Sequence, residues 1–263
     1  MNIDRDEMLA RYYALEYTEY REDLEFYIQY ARLLDPDNAR AILELGCGTG
    51  RVLLTLAQAG FCVTGIDISP AMLRHVAQTS EKSSLSARVT TVEADMRSPG
   101  EVPGAPFNMA LCALNTFAYL TSADDQLAVL RSAHALITPG GLLVLDLTPP
   151  LSQLFTQGEV VYQGSYPDPA TGSTLHKLVS SKVSSATQSE QVTIFYDLEA
   201  PDGTLTRATQ SLLFRWTGRY EMHLLLEHAG YRVEQLYGDY ELNEFDDSSP
   251  RMIFVARREA VER

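Results

Sequence analysis

Residues 41–51 read Ala41-Ile42-Leu43-Glu44-Leu45-Gly46-Cys47-Gly48-Thr49-Gly50-Arg51, and this stretch decides the fold. A short, mostly apolar run enters a glycine-rich loop, and Val52 to Ala59 then carries a helical pattern, so a buried strand turns directly into a helix. Glycines at positions 46, 48 and 50 let backbone NH groups approach a ligand at the helix N-terminus. The loop alone does not name that ligand. A nicotinamide-dinucleotide site needs a small residue where Arg51 stands, because strand and helix pack closely there. A phosphate-binding P-loop is excluded, since no Gly-Lys-Ser/Thr follows.

Working outward, β-rich runs alternate with helical stretches: Phe61 to Asp67, Pro70 to Thr79, Arg88 to Glu93, Phe107 to Ala113, Asp124 to Ile137 and Leu142 to Leu147. That alternation predicts a parallel sheet covered by helices. The second strand ends at Asp67, twenty-one residues beyond Gly46, where its carboxylate can accept two ribose hydroxyl hydrogen bonds. Capping of the next helix falls instead to Ser69, followed by Pro70 at the first helical position. The third strand runs out in Glu93-Ala94-Asp95-Met96, a carboxylate for an exocyclic amine beside a thioether for a flat ring. Ser98 to Pro106 is too rich in Pro and Gly for a good helix, and Pro139-Gly140-Gly141 reads as a turn just before the fifth strand.

Two segments depart from this texture. From Leu9 to Leu34, apolar and aromatic residues at helical spacing, including six of the fourteen tyrosines, predict one or two amphipathic helices. Asp35-Pro36-Asp37-Asn38 breaks them with a linker. From about Glu159 to Trp216 the period changes to two, as in Val192, Ile194, Tyr196 and Leu198, which predicts an antiparallel meander. Arg219 to Ala229 returns to helix, and Tyr231 to Tyr237 with Met252 to Ala256 supplies two more strands. The meander is therefore an insertion in an α/β domain.

Composition narrows the partners. The 263 residues carry a net charge of −14 and only three lysines, Lys82, Lys177 and Lys182, so nucleic acid is not expected as a substrate. Cys47, Cys62 and Cys112 match neither a zinc spacing nor a disulfide ladder and are expected reduced, each in a core setting. The first eight residues are polar and acidic, unlike a signal or transit peptide, and no run of about 18 apolar residues occurs. A cytoplasmic protein with no membrane association is expected.

With these motifs in order, the chain resembles a class I S-adenosylmethionine-dependent methyltransferase over roughly Ala41 to Leu147 and again from Arg219. Within that class the strand-four segment Leu111-Cys112-Ala113-Leu114-Asn115-Thr116-Phe117-Ala118-Tyr119-Leu120 is similar to small-molecule N-methyltransferases of the glycine and sarcosine type. The resemblance implies a Rossmann-like, seven-stranded, mostly parallel sheet of order 3-2-1-4-5-7-6 with its last strand antiparallel. Together with the change of texture along the sequence, the expected organisation is an N-terminal helical lid (1–37), a donor-binding domain (38–150 and 217–263) and an antiparallel β subdomain (151–216) offering an acceptor surface or a homodimer contact. S-adenosylmethionine would be held by Glu44, Gly46, Gly48, Gly50, Asp67, Ile68, Asp95, Met96 and the Ala113 carbonyl. By the same similarity, Tyr13 and Arg21 would close over its methionine end, Arg21 pairing with the carboxylate.

Asn115 at the strand-four lip would orient the acceptor or the donor's ammonium. Three features depart from relatives. No arginine follows the fifth strand, which reads Asp146-Leu147-Thr148-Pro149-Pro150, so glycine is a poor candidate acceptor. Thr148-Pro149-Pro150 follows strand five, whereas the Asn-Pro-Pro-Tyr of nucleobase methylases follows strand four. The Asp and Asp-Asn ligands of metal-dependent catechol methylases are missing, so no metal is expected. The expected activity is in-line methyl transfer to a small molecule at nitrogen or oxygen, where alignment and water exclusion carry the catalysis. His176 is the one histidine considered as a general base. The competing readings are a non-catalytic module that binds S-adenosylmethionine or S-adenosylhomocysteine, and an NAD-dependent oxidoreductase.

Overall fold

A computed structural model of the protein describes residues 5–33, 41–149 and 158–259. The expected linker Asp35 to Asn38, and the boundary at 150–151, lie outside the described residues. Two helices, α1 (Arg5–Tyr17) and α2 (Leu24–Arg32), precede an alternation of β1 (Ala41–Leu45), α3 (Arg51–Gln58), β2 (Cys62–Asp67), α4 (Pro70–Lys82), β3 (Val89–Glu93), β4 (Phe107–Cys112), α5 (Ala123–Leu136) and β5 (Ile137–Leu147). The meander follows as β6 (Val161–Asp168), β7 (Ser173–Ser184), β8 (Ser189–Glu199) and β9 (Leu205–Arg215), and α6 (Arg219–His228), β10 (Tyr231–Tyr237) and β11 (Met252–Arg258) close the chain.

Local chemistry explains the starts of the helices. Ser69 and Ser122 accept hydrogen bonds from Met72 N and Asp125 N, capping α4 and α5, and Pro70 opens α4 where a missing NH costs nothing. The central strands are apolar on both sides because helices cover both faces: Ile42, Leu43 and Leu45 of β1 are all buried. The sheet runs β10-β11-β5-β4-β1-β2-β3, with β11 antiparallel to both neighbours. Counting only its own strands, this is the expected order 3-2-1-4-5-7-6. One face packs on α5 and α6 through Val129, Leu130, Met222 and Leu226. The other packs on α2, α3 and α4 through Phe26, Tyr27, Leu53, Leu56 and Val76.

Three expectations need correction. Pro139-Gly140-Gly141 is not a turn ahead of the fifth strand but a bulge inside it: Phe107 pairs with Ile137 and Met109 with Leu142, and Gly140 takes a φ of +80° to absorb the extra residues. Cys62 is exposed at the start of β2, while Cys47 and Cys112 are buried; all three are free. The N-terminal segment divides into two parts. Only α1 lies over the insertion, whereas α2 belongs to the core, with Tyr27 and Ala31 fully buried.

The insertion is a four-stranded antiparallel sheet of order β6-β7-β8-β9. Its inner face, through Leu175, Val192, Ile194 and Tyr196, packs against Tyr12 of α1. Arg215 at the end of β9 ties it to the main body, donating to Gln126 of α5 at 2.8 Å and to Gln188 at 3.0 Å and pairing with Glu221 of α6.

A second buried network lies at the C-terminal ends of β4 and β5. The Asp146 carboxylate is inaccessible to solvent and accepts from the Tyr27 hydroxyl (2.7 Å), the Tyr240 hydroxyl (2.9 Å), Leu114 N (3.1 Å) and Arg251 Nε (2.8 Å). Removing the carboxylate strands a buried guanidinium. Asp146→Ala is expected to lose about 3–5 kcal/mol and Tyr27→Phe only about 1 kcal/mol, read as shifts in the urea denaturation midpoint; equal small losses in both would show that the network does not hold the fold.

Candidate functional site

A crevice of about 500 Å³ opens at the C-terminal ends of β1, β2 and β3. Its floor is the glycine loop, where Gly46 N and Cys47 N donate to Ile66 O and Gly50, with a φ of +86°, starts α3. Gly46 has no room for a side chain: a Cβ there would stand 2.3 Å from Thr116 Cγ2. Along one wall lie Asp67, Ile68 and Ser69, along the other Ala94 to Arg97. The roof is α1, through Asp6, Leu9, Ala10 and Tyr13, joined by Gln210 and Leu212 of β9, and Thr116 and Tyr119 close the inner end.

Asp67 sits as expected at the end of β2. Its carboxylate accepts from Gly48 N at 2.8 Å and Ser69 N at 2.9 Å, so it also shapes the glycine loop, and burial raises its pKa. Ile68 is 69 % exposed at the lip, a large apolar side chain placed to cover a flat ligand. Met96 lies half-buried beneath, packed on the core. Asp95 faces the crevice but is held by Arg97, whose guanidinium grips both carboxylate oxygens and lowers the pKa of Asp95 by these hydrogen bonds; the same guanidinium also reaches Asp125 at 2.8 Å. An exocyclic amine reaching Asp95 would share it with Arg97.

Behind the loop is a cavity of about 20 Å³ lined by Tyr13, Glu44, Gly46, Arg51, Ala113 and Thr116 among others. Glu44 is buried and its Oε2 has no hydrogen-bond partner. Burial pushes its pKa up to about 8, although the Arg51 guanidinium opposes the shift. A buried acceptor with no partner, beside a cavity, is where a cationic group gains most. The Ala113 carbonyl already accepts from Thr116 N at 3.1 Å and keeps its second lone pair.

Three expected residues sit elsewhere or do other work. Arg21 is exposed and lines neither cavity. The guanidinium beside the small cavity belongs to Arg51, which pairs with both oxygens of buried Asp23 at 2.5 and 2.6 Å and donates to Tyr20 O. Asn115 adopts a left-handed backbone (φ +64°) and turns its Oδ1 to Thr148 N at 3.0 Å, tying the end of β4 to that of β5 without capping the short 3-10 turn that follows. His176 bonds Glu199 and Tyr162 on the outer face of the insertion, away from the crevice. Tyr13 lines both cavities, with its ring 3.6 Å from where a Cβ on Gly48 would be. The Asp23–Arg51 pair and the crevice position of Tyr119 had no sequence signal beyond residue type.

A sheet of this order, with an acidic glycine loop on β1 and a ribose-type carboxylate ending β2, defines a class I S-adenosylmethionine-dependent methyltransferase. Residues 42–141 match the family model described as a methyltransferase domain. The chain is 27 % identical over 241 residues to the putative methyltransferase YqeM of Bacillus subtilis (strain 168) and 26 % identical over 224 residues to the cypemycin N-terminal methyltransferase of a Streptomyces species, with 85 % of each chain covered in both cases. Its fold overlays the sugar N-methyltransferase KedS8 of a Streptoalloteichus species with a TM-score of 0.75 at 20 % identity, covering 99 % of this chain and 96 % of that one. The chain is an S-adenosylmethionine-dependent methyltransferase.

Glu44 makes the site sensitive to pH. Its ordinary value is 4.5, and in the folded chain it holds its proton up to about 8. Between those values the folded state binds the extra proton, so the Glu44 contribution to stability is full at low pH and is lost as pH rises through about 8. Glu44→Gln should flatten this decline, measured by urea denaturation at a series of pH values; an unchanged pH slope would contradict the buried acid.

Proposed function

We propose that the enzyme methylates a small molecule at an amine nitrogen without a metal ion. The observation that carries this reading is the roof. Tyr13 of α1 stands between the main crevice and the small cavity at Glu44, and Tyr17 stacks behind it with ring centroids 4.5 Å apart. Neutral aromatic faces suit an attack in which positive charge moves from sulfur to nitrogen. The N-acting relatives named above support the same choice.

In this reading Gly46, Gly48 and Gly50 let the backbone lie against the donor, Asp67 accepts the ribose hydroxyls, and Ile68 and Met96 cover the adenine. Asp95, shared with Arg97, takes the exocyclic amine. Glu44 and the Ala113 carbonyl receive the ammonium. When bound, the donor supplies a methyl group already activated on a sulfonium. The protein then has to align the acceptor nitrogen and exclude water, and Tyr13 does both as the shared wall. The 20 Å³ cavity holds no more than a water, so Tyr13 and α1 move when the donor enters. Accordingly α1 is the lid, residues 38–150 and 217–263 hold the donor, and residues 151–216 face the acceptor. Asn115 serves as a positioning residue through its tie to Thr148. Exposed Val161 and Tyr162 on edge strand β6 support pairing with a second copy. The net charge of −14 argues against a nucleic-acid acceptor. Among the described residues no helix is long and apolar enough to cross a membrane.

Asp67→Ala is expected to weaken binding of S-adenosylhomocysteine by about 1.5–3 kcal/mol, the range for hydrogen bonds to a charged acceptor; unchanged calorimetric affinity would reject the site. Incubation with S-adenosylmethionine and a panel of primary and secondary amines and phenols should add one methyl mass to amines, with EDTA leaving the rate intact. Transfer confined to phenols, or turnover lost on chelation and restored by magnesium, would overturn the proposal.

A further inference from the structure

The lid helix carries more than its crevice-lining stripe. The residues of α1 that line the crevice, from Asp6 to Tyr13, recur at three- and four-residue spacing, and the same spacing brings Glu16 and Tyr17 next in line. Glu16 is buried between α1 and the inner face of the insertion, its side chain 8 % exposed. One oxygen pairs with Lys177 Nζ of β7 and the other accepts from the Tyr196 hydroxyl of β8 at 3.2 Å. The charge of Glu16 acts on the hydroxyls of Tyr13, Tyr17, Tyr119 and Tyr196, which burial, the larger effect in each, keeps protonated. A carboxylate thus sits among neutral phenols, one of which is the wall of the donor crevice. The Tyr13 and Tyr17 rings, 4.5 Å apart, lead from the glycine loop along α1 to the turn that carries Glu16.

We propose that Glu16 recognises the acceptor, exchanging its present cation, the Lys177 ammonium, for the ammonium of a primary or secondary amine. This rests on the N-methyltransferase reading and names the residue that selects the substrate class. A buried carboxylate needs a cation beside it, and replacing one ammonium by another keeps that need met. The surrounding tyrosine faces favour ammonium groups over neutral alcohols. Before attack the ammonium gives up one proton to water, and the carboxylate then holds the neutral amine by accepting a remaining N–H hydrogen bond, leaving the nitrogen lone pair free. Lys177 then governs selectivity, because the substrate must displace it.

The test uses the full chain and dimethylammonium chloride as probe. Calorimetry with S-adenosylhomocysteine first establishes donor binding. With that ligand saturating, the probe is titrated at ionic strength matched with sodium chloride, and its methyl proton resonance is followed for the upfield shift that aromatic rings impose. A saturable shift is expected in the wild type. Glu16→Gln should weaken probe binding at least tenfold while changing S-adenosylhomocysteine affinity less than twofold, and Lys177→Met should tighten probe binding. Absence of a saturable shift, or equal probe binding in Glu16→Gln, would overturn the inference while leaving the donor site standing. Loss of binding of both ligands in Lys177→Met would also overturn it, since the pair would then be only a latch between helix and sheet. Should Glu16→Gln fail to fold, the opposite signs expected of Lys177→Met decide the matter. Failure of S-adenosylhomocysteine to bind the wild type would overturn the donor reading itself and this inference with it.

Discussion

The buried carboxylate of Asp146 is the constraint on which the rest of the molecule depends. A carboxylate removed from water costs several kcal/mol unless charge and hydrogen bonds replace the lost solvation, and here the replacements come from distant parts of the chain. Tyr27 arrives from α2, Tyr240 and Arg251 from the connection between β10 and β11, and Leu114 N from the loop after β4. Leu114 and Asn115 both have positive φ, a strained backbone for residues with a Cβ, and hydrogen bonds to Asp146 and Thr148 hold them there. That bend sets Thr116 against Gly46, so the geometry of the donor loop follows from a network on the neighbouring strands.

The two N-terminal helices are attached by different physics. Helix α2 contributes buried aromatic rings to the main core. Helix α1 packs on the insertion through Tyr12, Leu9 and Leu15 and adds ion pairs on three sides: Glu7 with Arg74 of α4, Arg11 with Asp168 of β6, and Glu16 with Lys177 of β7. Of these pairs only Glu7–Arg74 is exposed on both sides, where an ion pair contributes little; Glu16–Lys177 is buried. Between the helices, Asp23 and Arg51 fasten the chain directly to the first turn of α3, next to the glycine loop.

The insertion serves the site from the other side. Its inner face packs on α1 through Tyr12, Leu175 and Tyr196, and Gln210 and Leu212 reach the crevice itself. The Arg215 network with Gln126, Gln188 and Glu221 keeps the end of β9 in register with α5 and α6. The insertion thus meets the main body both through the Arg215 hydrogen bonds and through the Phe214 ring of β9, which stands 4.7 Å from the Tyr119 ring.

Much of the fold could be read along the chain because it follows from neighbouring residues. Period-two and helical patterns located the elements, Ser69 and Pro70 marked the start of α4, and the glycine loop with Asp67 twenty-one residues past Gly46 marked two walls of the main crevice. The strand order came from resemblance to a known class. What local pattern cannot carry is the choice of partner. Asp95 is claimed by Arg97, Arg51 by Asp23, and Arg21 is left in solvent although its type and spacing suited a donor carboxylate. Glu16 meets Lys177 across 161 residues and Asp146 meets Tyr27 across 119. Such pairings are settled when packed elements bring buried charges close enough to need each other, a condition set by the three-dimensional arrangement and absent from any window of sequence.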